Sequence, residues 1–122
     1  MNQPAQGAAR SLVLTADEAL LDELLRLAAA AGVEVDVASD PVAARPRWQA
    51  APLVVVSDDQ AESAAGQLGR RPQVILVGVD RADVSIWRRG VALGADQVVY
   101  LPDAEHWLVE RFADAAEETG RD

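Results

Sequence analysis

Pro52-Leu53-Val54-Val55-Val56-Ser57-Asp58-Asp59-Gln60 is a continuous apolar run that stops at two adjacent carboxylates. A strand wetted on one face alternates apolar with polar residues. A run that is apolar at every position instead fits a strand covered on both faces, and such strands belong to parallel sheets flanked by helices. Two questions follow: what covers this strand, and whether its acidic exit is a site or only solvated chain.

Working outward, Val74–Val77 is a second run of the same kind, and a short helix over 61–68 is expected between the two. Upstream, Leu12-Val13-Leu14-Thr15 reads as a strand. The stretch TADEALLDELLRLAAAAG that follows places Leu21, Leu24, Leu25 and Ala28 on one helical face. Thr15 and Glu18 are spaced as a capping box, and Gly32 stands where a left-handed helix stop is wanted. Val33–Val37 alternates, as an edge strand does. Asp40-Pro41 opens a second helix as N-cap and first-turn proline. A proline inside a helix costs about 3 kcal/mol, so Pro46 predicts that this helix is short, kinked or restarted. Asp83–Leu93 is expected as a helix ended by Gly94, Val98–Leu101 as a fifth strand, and Asp103 as the cap of a last helix reaching Glu118.

Five strands alternating with five helices predict a single α/β domain with a doubly wound parallel five-stranded sheet, and among such sheets the flavodoxin- or receiver-like order 2-1-3-4-5 matches the length best. In such sheets ligands bind outside the carboxyl ends of the strands where the order reverses. Those ends are Thr15-Ala16-Asp17, Ser57-Asp58-Asp59 and Gly78-Val79-Asp80.

The bulk numbers bound the function. A half-apolar chain of 122 residues carries one core, here 11–118, with 1–10 read as a flexible tail and 119–122 as a tail or the start of a linker to a further C-terminal domain. A net charge of −9 repels phosphate backbones, so no nucleic-acid partner is expected. The chain has no cysteine, which excludes disulfides and thiolate chemistry. No apolar stretch approaches the ~20 residues of a membrane span, and no signal-peptide core is present, so direct membrane insertion is not expected and a cytoplasmic location is. All eleven basic residues are arginine.

Across 11–118 the chain resembles the receiver domains of response regulators, most visibly in LGADQVVYLP (93–102), which is similar to that family's Gly-Ala-Asp, fifth strand and Lys-Pro ending. The resemblance implies a checklist for phosphoryl transfer to a carboxylate. It needs an acidic pair after the first strand for Mg²⁺, an acceptor aspartate after the third, a hydroxyl after the fourth and a lysine before the proline. Here the acidic pair is Ala16-Asp17, the acceptor is Ser57 or Asp58 within one residue of register, the hydroxyl position is Gly78 and the lysine position is Leu101. No lysine exists to repair the last loss, and no arginine lies near Leu101 in sequence. The expectation is a pseudo-receiver: not an enzyme, with no cofactor and no metal. Asp17 then favours a helix N-terminus, Asp58-Asp59 solvates a strand exit, and His106, the only histidine, decorates the surface. Neither GxGxxG nor GxxxxGK[ST] occurs.

A scaffold without its reaction set points to docking. Trp87 and Val91 share a face of the fourth helix, Trp107 and Arg111 a face of the fifth, and Val98 and Tyr100 a face of the strand between them. These are interface-forming residue types. The alternative for Trp87 and Trp107 is packing over the sheet as core, and Trp48 reads as a core plug.

LVLTADEALLDELLRLAAAAGVEVDVA (12–38), APLVVVSDD (51–59) and WRRGVALGADQVVYLPDAEHWLVERFADAAE (87–117) further resemble the N-terminal segment of bacterial septum site-determining proteins, similar to pilus-assembly ATPases of the MinD/ParA type. That resemblance implies a receiver-like domain ahead of a deviant Walker ATPase domain, which is then a partner in the same chain. It also implies roles in septum positioning, cell-division control or pilus localisation, with recruitment to septum or pole. Three functions are therefore expected, in this order. The first is a regulatory docking or dimerising domain using the fourth-helix, fifth-strand, fifth-helix face. The second is a divergent receiver phosphorylated on Asp58, with Asp17 helping a weak Mg²⁺ site. The third is a small-ligand sensor using room left by Gly78 and Ala16.

Overall fold

The computed structural model describes residues 9–120, with side chains through residue 118. Along the chain run β1 (Ser11–Leu14), α1 (Glu18–Ala30), β2 (Val35–Ala38), α2 (Pro41–Trp48), β3 (Val54–Ser57), α3 (Asp58–Gln67), β4 (Val74–Gly78), α4 (Ile86–Leu93), β5 (Gln97–Tyr100) and α5 (Glu105–Gly120). The strands form one sheet of order β2-β1-β3-β4-β5, every neighbouring pair parallel, as the alternation of elements predicted.

Because side chains alternate across a strand, the three central strands feed two apolar layers. Leu12, Leu14, Val54, Val56, Val74 and Leu76 face α2, α3 and α4, where Ala44, Trp48, Ala61, Ala64, Ile86 and Leu93 meet them. Val13, Val55, Ile75 and Val77 face α1 and α5, where Leu20, Leu24, Leu27, Leu108 and Phe112 close the other layer. Full burial of such a side chain is worth about 1.5–3 kcal/mol, and the valines of β3 contribute to both layers. Trp48 is the core plug expected: it is 2% exposed, and its Nε1 donates to the Gly69 carbonyl at 2.6 Å. Beside it lies the buried Arg71, which donates through Nη1 to the Trp48 carbonyl and through Nε to that of Pro72 at 2.8 Å. Burial holds the Arg71 pKa below the usual arginine value, against the raising effect of Asp96.

Several boundaries differ from expectation for local reasons. α1 buries Leu20, Leu24, Leu27 and Ala28, while Leu25 is exposed, so the apolar face is turned from the expected Leu21/Leu25 side. Its cap is Asp17, whose Oδ1 accepts from the Leu20 N–H at 3.1 Å; Thr15 instead accepts the Asp17 N–H at 3.1 Å, and no Thr15–Glu18 box forms. α2 is short and contains Pro46, with Asp40 accepting the Ala43 N–H at 2.9 Å. α4 starts at Ile86 rather than Asp83, because Asp83 Oδ1 accepts both the N–H and the hydroxyl of Ser85 (3.0 and 2.5 Å) and makes a turn there. α5 starts at Glu105 after a turn containing a cis Leu101–Pro102 bond, so Asp103 does not cap it; Asp103 pairs with Arg81 at 3.2 Å.

Of the stretch expected as an N-terminal tail, 1–8 lie outside the described residues; Arg10 pairs with Glu34 at 2.7 Å. At the other end α5 continues to Gly120, and 121–122 lie outside the described residues. Among the described residues no helix is long and apolar enough to cross a membrane.

One close approach fixes α4. A Cβ added to Gly90 would lie 2.7 Å from Val98 Cγ2 and 3.5 Å from Leu76 Cδ2, so the bare backbone at that position lets the helix seat directly on β5 and β4. Its C-terminus is closed by Gly94 (φ 82°) and by Arg70, whose guanidinium donates to the Ala92 and Val91 carbonyls at 3.3 and 3.4 Å.

Candidate functional site

The register Leu14↔Val56 makes β1 and β3 end side by side, and Ser57↔Val77 brings the exit of β4 next to them. A crevice of about 230 Å³ opens at these ends, lined by Asp17, Leu20, Asp58, Asp59, Val77, Gly78, Val79, Asp80, Asp83 and Ile86. Of the strand-end residues named from the sequence, Asp17, Asp58, Asp59, Gly78, Val79 and Asp80 line it, while Thr15, Ala16 and Ser57 do not.

α3 begins at Asp58, earlier than expected, with Ser57 extended at the N-cap position. Asp58 and Asp59 thus occupy the first helical turn, where the helix dipole favours negative charge, rather than a solvated loop. Each carboxylate is already partnered. Asp59 accepts from the Ser57 hydroxyl, from the Ala16 N–H at 3.2 Å and from Gln60 Nε2 at 3.1 Å, which ties the exit of β3 to the turn after β1.

Asp58 meets Arg89 of α4. Nε donates to Oδ1 at 2.6 Å and Nη2 to Oδ2 at 2.8 Å, a bidentate charge-assisted fork. The same guanidinium donates to Asp83 Oδ2 at 3.0 Å and, through Nη1, to Ser85 Oγ at 3.0 Å. The side chains of Arg89 and Asp58 are only 22% and 30% exposed. Hydrogen bonding to Asp58 is the main cause that raises the Arg89 pKa above its usual value, with Asp83 adding to it. Asp83 is held below the usual carboxylate range first by the Ser85 hydroxyl and backbone N–H, then by Arg89.

Arg89 corrects the expectation of a crevice without a cation. The sequence places none near Leu101 along the chain, whereas Arg89, bonded to the crevice carboxylates Asp58 and Asp83, comes from the first turn of the neighbouring helix. Adjacent β3 and β4 make α3 and α4 neighbours, so an arginine one turn into α4 facing the exit of β3 is the signal that would have found it.

The other degenerate positions are filled rather than vacant. A Cβ on Gly78 would lie 2.6 Å from Ile86 Cδ1 and 3.5 Å from the Tyr100 ring, so Gly78 does not leave the room expected for a ligand. Leu101 is 5% exposed and donates its N–H to the Gly78 carbonyl at 2.9 Å. Together with Leu20, Val79 and Pro102 it lines an apolar groove of about 450 Å³, and Asp17, Glu23 and Glu105 are also in its lining. Asp17 caps α1, and Ala16 presents only its backbone to Asp59. Among the described residues no group of three or more His, Cys, Asp or Glu is placed to hold a metal ion. His106 is exposed, 3.2 Å from Glu110.

The expected interaction face divides. Trp87, Val98 and Tyr100 share a groove of about 450 Å³ with Arg81, Val84, Val99, Asp103 and Ala104. Val91 continues the same side of α4, and Val84, Trp87 and Val91 are 72%, 52% and 75% exposed. Trp107 instead packs half-buried against the α1/α5 layer, the core alternative, and Arg111 donates to Gln73 Oε1 at 2.5 Å. Tyr100 ties the groove to the crevice, its hydroxyl donating to the Asp83 carbonyl at 3.3 Å.

Comparison with known proteins agrees with this architecture. The family model described as "Rv3660c-like, CheY-like N-terminal domain" matches residues 14–122. Protein Rv3660c of Mycobacterium tuberculosis H37Rv is 36% identical over 104 residues, 83% of this chain but 29% of the relative, so the chain spans under a third of that relative's length. Among solved structures, a CheY-like response regulator receiver domain from Methanospirillum hungatei JF-1 superposes with a TM-score of 0.67 at 20% identity, covering 93% of this chain and 98% of that one. A putative pilus assembly-related protein from Burkholderia pseudomallei K96243 superposes with a TM-score of 0.59 at 20% identity over 97% of this chain and 96% of its own. At such identities the structural matches speak to the fold.

Proposed function

We propose that this chain, which belongs to the Rv3660c-like, CheY-like N-terminal domain family, is a phosphorylation-independent pseudo-receiver that docks a second copy of itself through the Trp87 groove. The observation that carries this reading is the fork between Arg89 and Asp58: both oxygens of the carboxylate at the acceptor position are already engaged by a guanidinium of its own domain. A carboxylate so paired is a poor nucleophile. Its surroundings also offer no lysine, no hydroxyl at Gly78 and one carboxylate in place of two after β1. Docking is supported by the exposed apolar side chains of Val84, Trp87 and Val91 beside an exposed Arg88, on a chain whose α5 carries the acidic Glu110 and Asp114.

In the longer protein this pairing would bring together the domains that follow. We take these to be of the MinD/ParA ATPase type, acting in septum or pilus placement, on the resemblance of 12–38, 51–59 and 87–117 and on the greater length of the Mycobacterium relative. The domain itself then has a regulatory rather than an enzymatic role.

Two measurements test the reading. Incubation with acetyl phosphate and Mg²⁺ followed by intact mass is expected to give no phosphoryl adduct; an adduct that disappears in Asp58→Ala would make the domain a divergent receiver instead. Sedimentation of the chain over a concentration series is expected to show self-association weakened by Trp87→Ala, and equal behaviour of parent and variant would remove the groove.

A further inference from the structure

The crevice and the docking groove are joined through one short turn. Asp83 and Ser85, between β4 and α4, bond to Arg89 on one side, while the Asp83 carbonyl accepts the Tyr100 hydroxyl on the other. Trp87 is the second residue of α4, two positions beyond Ser85, and lines the groove. Arg89 in turn is anchored on Asp58, at the first residue of α3 and the end of the fully buried β3.

From this geometry we infer that Arg89 is a positioning residue: a built-in counter-ion that holds the turn 79–85 and the start of α4 against Asp58, fixing the Trp87 groove in its docking shape without any added phosphate or metal. The inference deepens the docking reading and rests on it for its consequence, though not for the clamp itself. The fork uses Nε and Nη2 on Asp58 at 2.6 and 2.8 Å, and Nη2 and Nη1 also serve Asp83 and Ser85 at 3.0 Å, so one guanidinium joins α3, α4 and the turn between β4 and α4. Lysine cannot do this: a point charge with three rotatable donors lacks the planar fork that fits a carboxylate on one edge and reaches the turn from the other. Asp58 acts here as an anchor, not an acceptor, and its charge matters only through Arg89. No covalent step is involved.

Amide hydrogen exchange on the whole chain tests the clamp. Arg89→Met and Asp58→Asn are each expected to speed exchange in residues 79–86 by about tenfold or more, as loss of charged hydrogen bonds implies, with β1 and β3 unchanged. The double variant is expected to be no faster than Arg89→Met alone, since both changes break one fork. Self-association measured by sedimentation should fall in parallel. Should Arg89→Met fail to fold, Arg89→Lys carries the measurement, because it keeps the charge and loses the fork; faster exchange confined to 79–86 is again expected. Unchanged exchange in 79–86, or single-variant effects that add in the double, would overturn the clamp. The two readings separate cleanly. If Trp87→Ala weakens association while the Arg89 and Asp58 variants alter neither exchange nor association, docking stands and the clamp falls. If the clamp variants speed exchange but neither they nor Trp87→Ala change association, the clamp stands and docking falls.

Discussion

Ile86 occupies the space that a side chain on Gly78 would need, its Cδ1 only 2.6 Å from where the Cβ would stand. The hydroxyl that a phosphorylatable receiver carries after its fourth strand is therefore not merely missing; its place is taken by a core side chain. Gly78→Ser is expected to lower stability by about 1 kcal/mol as the end of the Ile86 side chain is displaced, and combining it with Ile86→Val is expected to cost less than the sum of the two single losses. Urea unfolding of the two single variants and the double checks this, and purely additive losses would show that the two sites do not compete for one space.

Trp87 and Trp107 are expected to respond differently to truncation. Trp87 is 52% exposed, so Trp87→Ala should change folding stability by no more than about 0.5–1 kcal/mol. Trp107 is half-buried against the α1/α5 layer, and Trp107→Ala should cost about 2 kcal/mol or more, a fraction of the full penalty for a buried tryptophan. Chemical denaturation of both variants decides the order.

Asp17 is expected to behave as a helix cap. Asp17→Ala should lower stability by about 1 kcal/mol, and Asp17→Asn, which keeps an oxygen for the Leu20 N–H, by much less. Thermal unfolding separates these; equal losses in both variants would mean that charge rather than capping is at work.

Acid should weaken the turn before α4. The folded-state pKa of Asp83 is depressed, chiefly by the Ser85 hydroxyl and N–H and then by Arg89. A depressed carboxylate contributes stability that is fully present above its unfolded pKa of about 3.9 and is lost as pH falls through the lower folded value. The stability difference between the parent and Asp83→Asn should therefore be constant above about pH 5 and shrink below about pH 4. Unfolding curves taken across that range provide the check, in which a difference growing on acidification would reverse the assignment.

The alternation of elements was legible in the sequence because an unbroken apolar strand such as Val54–Val56 must be covered on both faces, while connection rules gave only a doubly wound parallel sheet and its order was taken from the flavodoxin-type arrangement that best fits the length. Asp40-Pro41 as a helix start was legible because it rests on residues adjacent in the chain, and Trp48 as core because a large apolar side chain favours burial wherever its partners lie. What escaped depends on neighbours in space. Arg89 reaches Asp58 across two elements and 31 positions, and Ile86 fills Gly78 from the far side of a turn. The rotation of α1 escaped for another reason: Leu20, Leu21, Leu24, Leu25 and Leu27 supply more apolar positions than one face can bury, so periodicity alone did not choose between adjacent phases. The split between Trp87 and Trp107 has the same origin, since spacing along each helix says nothing of which side of the sheet that helix covers.

Backbone resting on side chain at Gly90 leaves α4 with no slack against β5. Any side chain at that position would push the middle of the helix away from Val98, which also lines the Trp87 groove, so the wall of that groove depends on a residue that has no side chain at all.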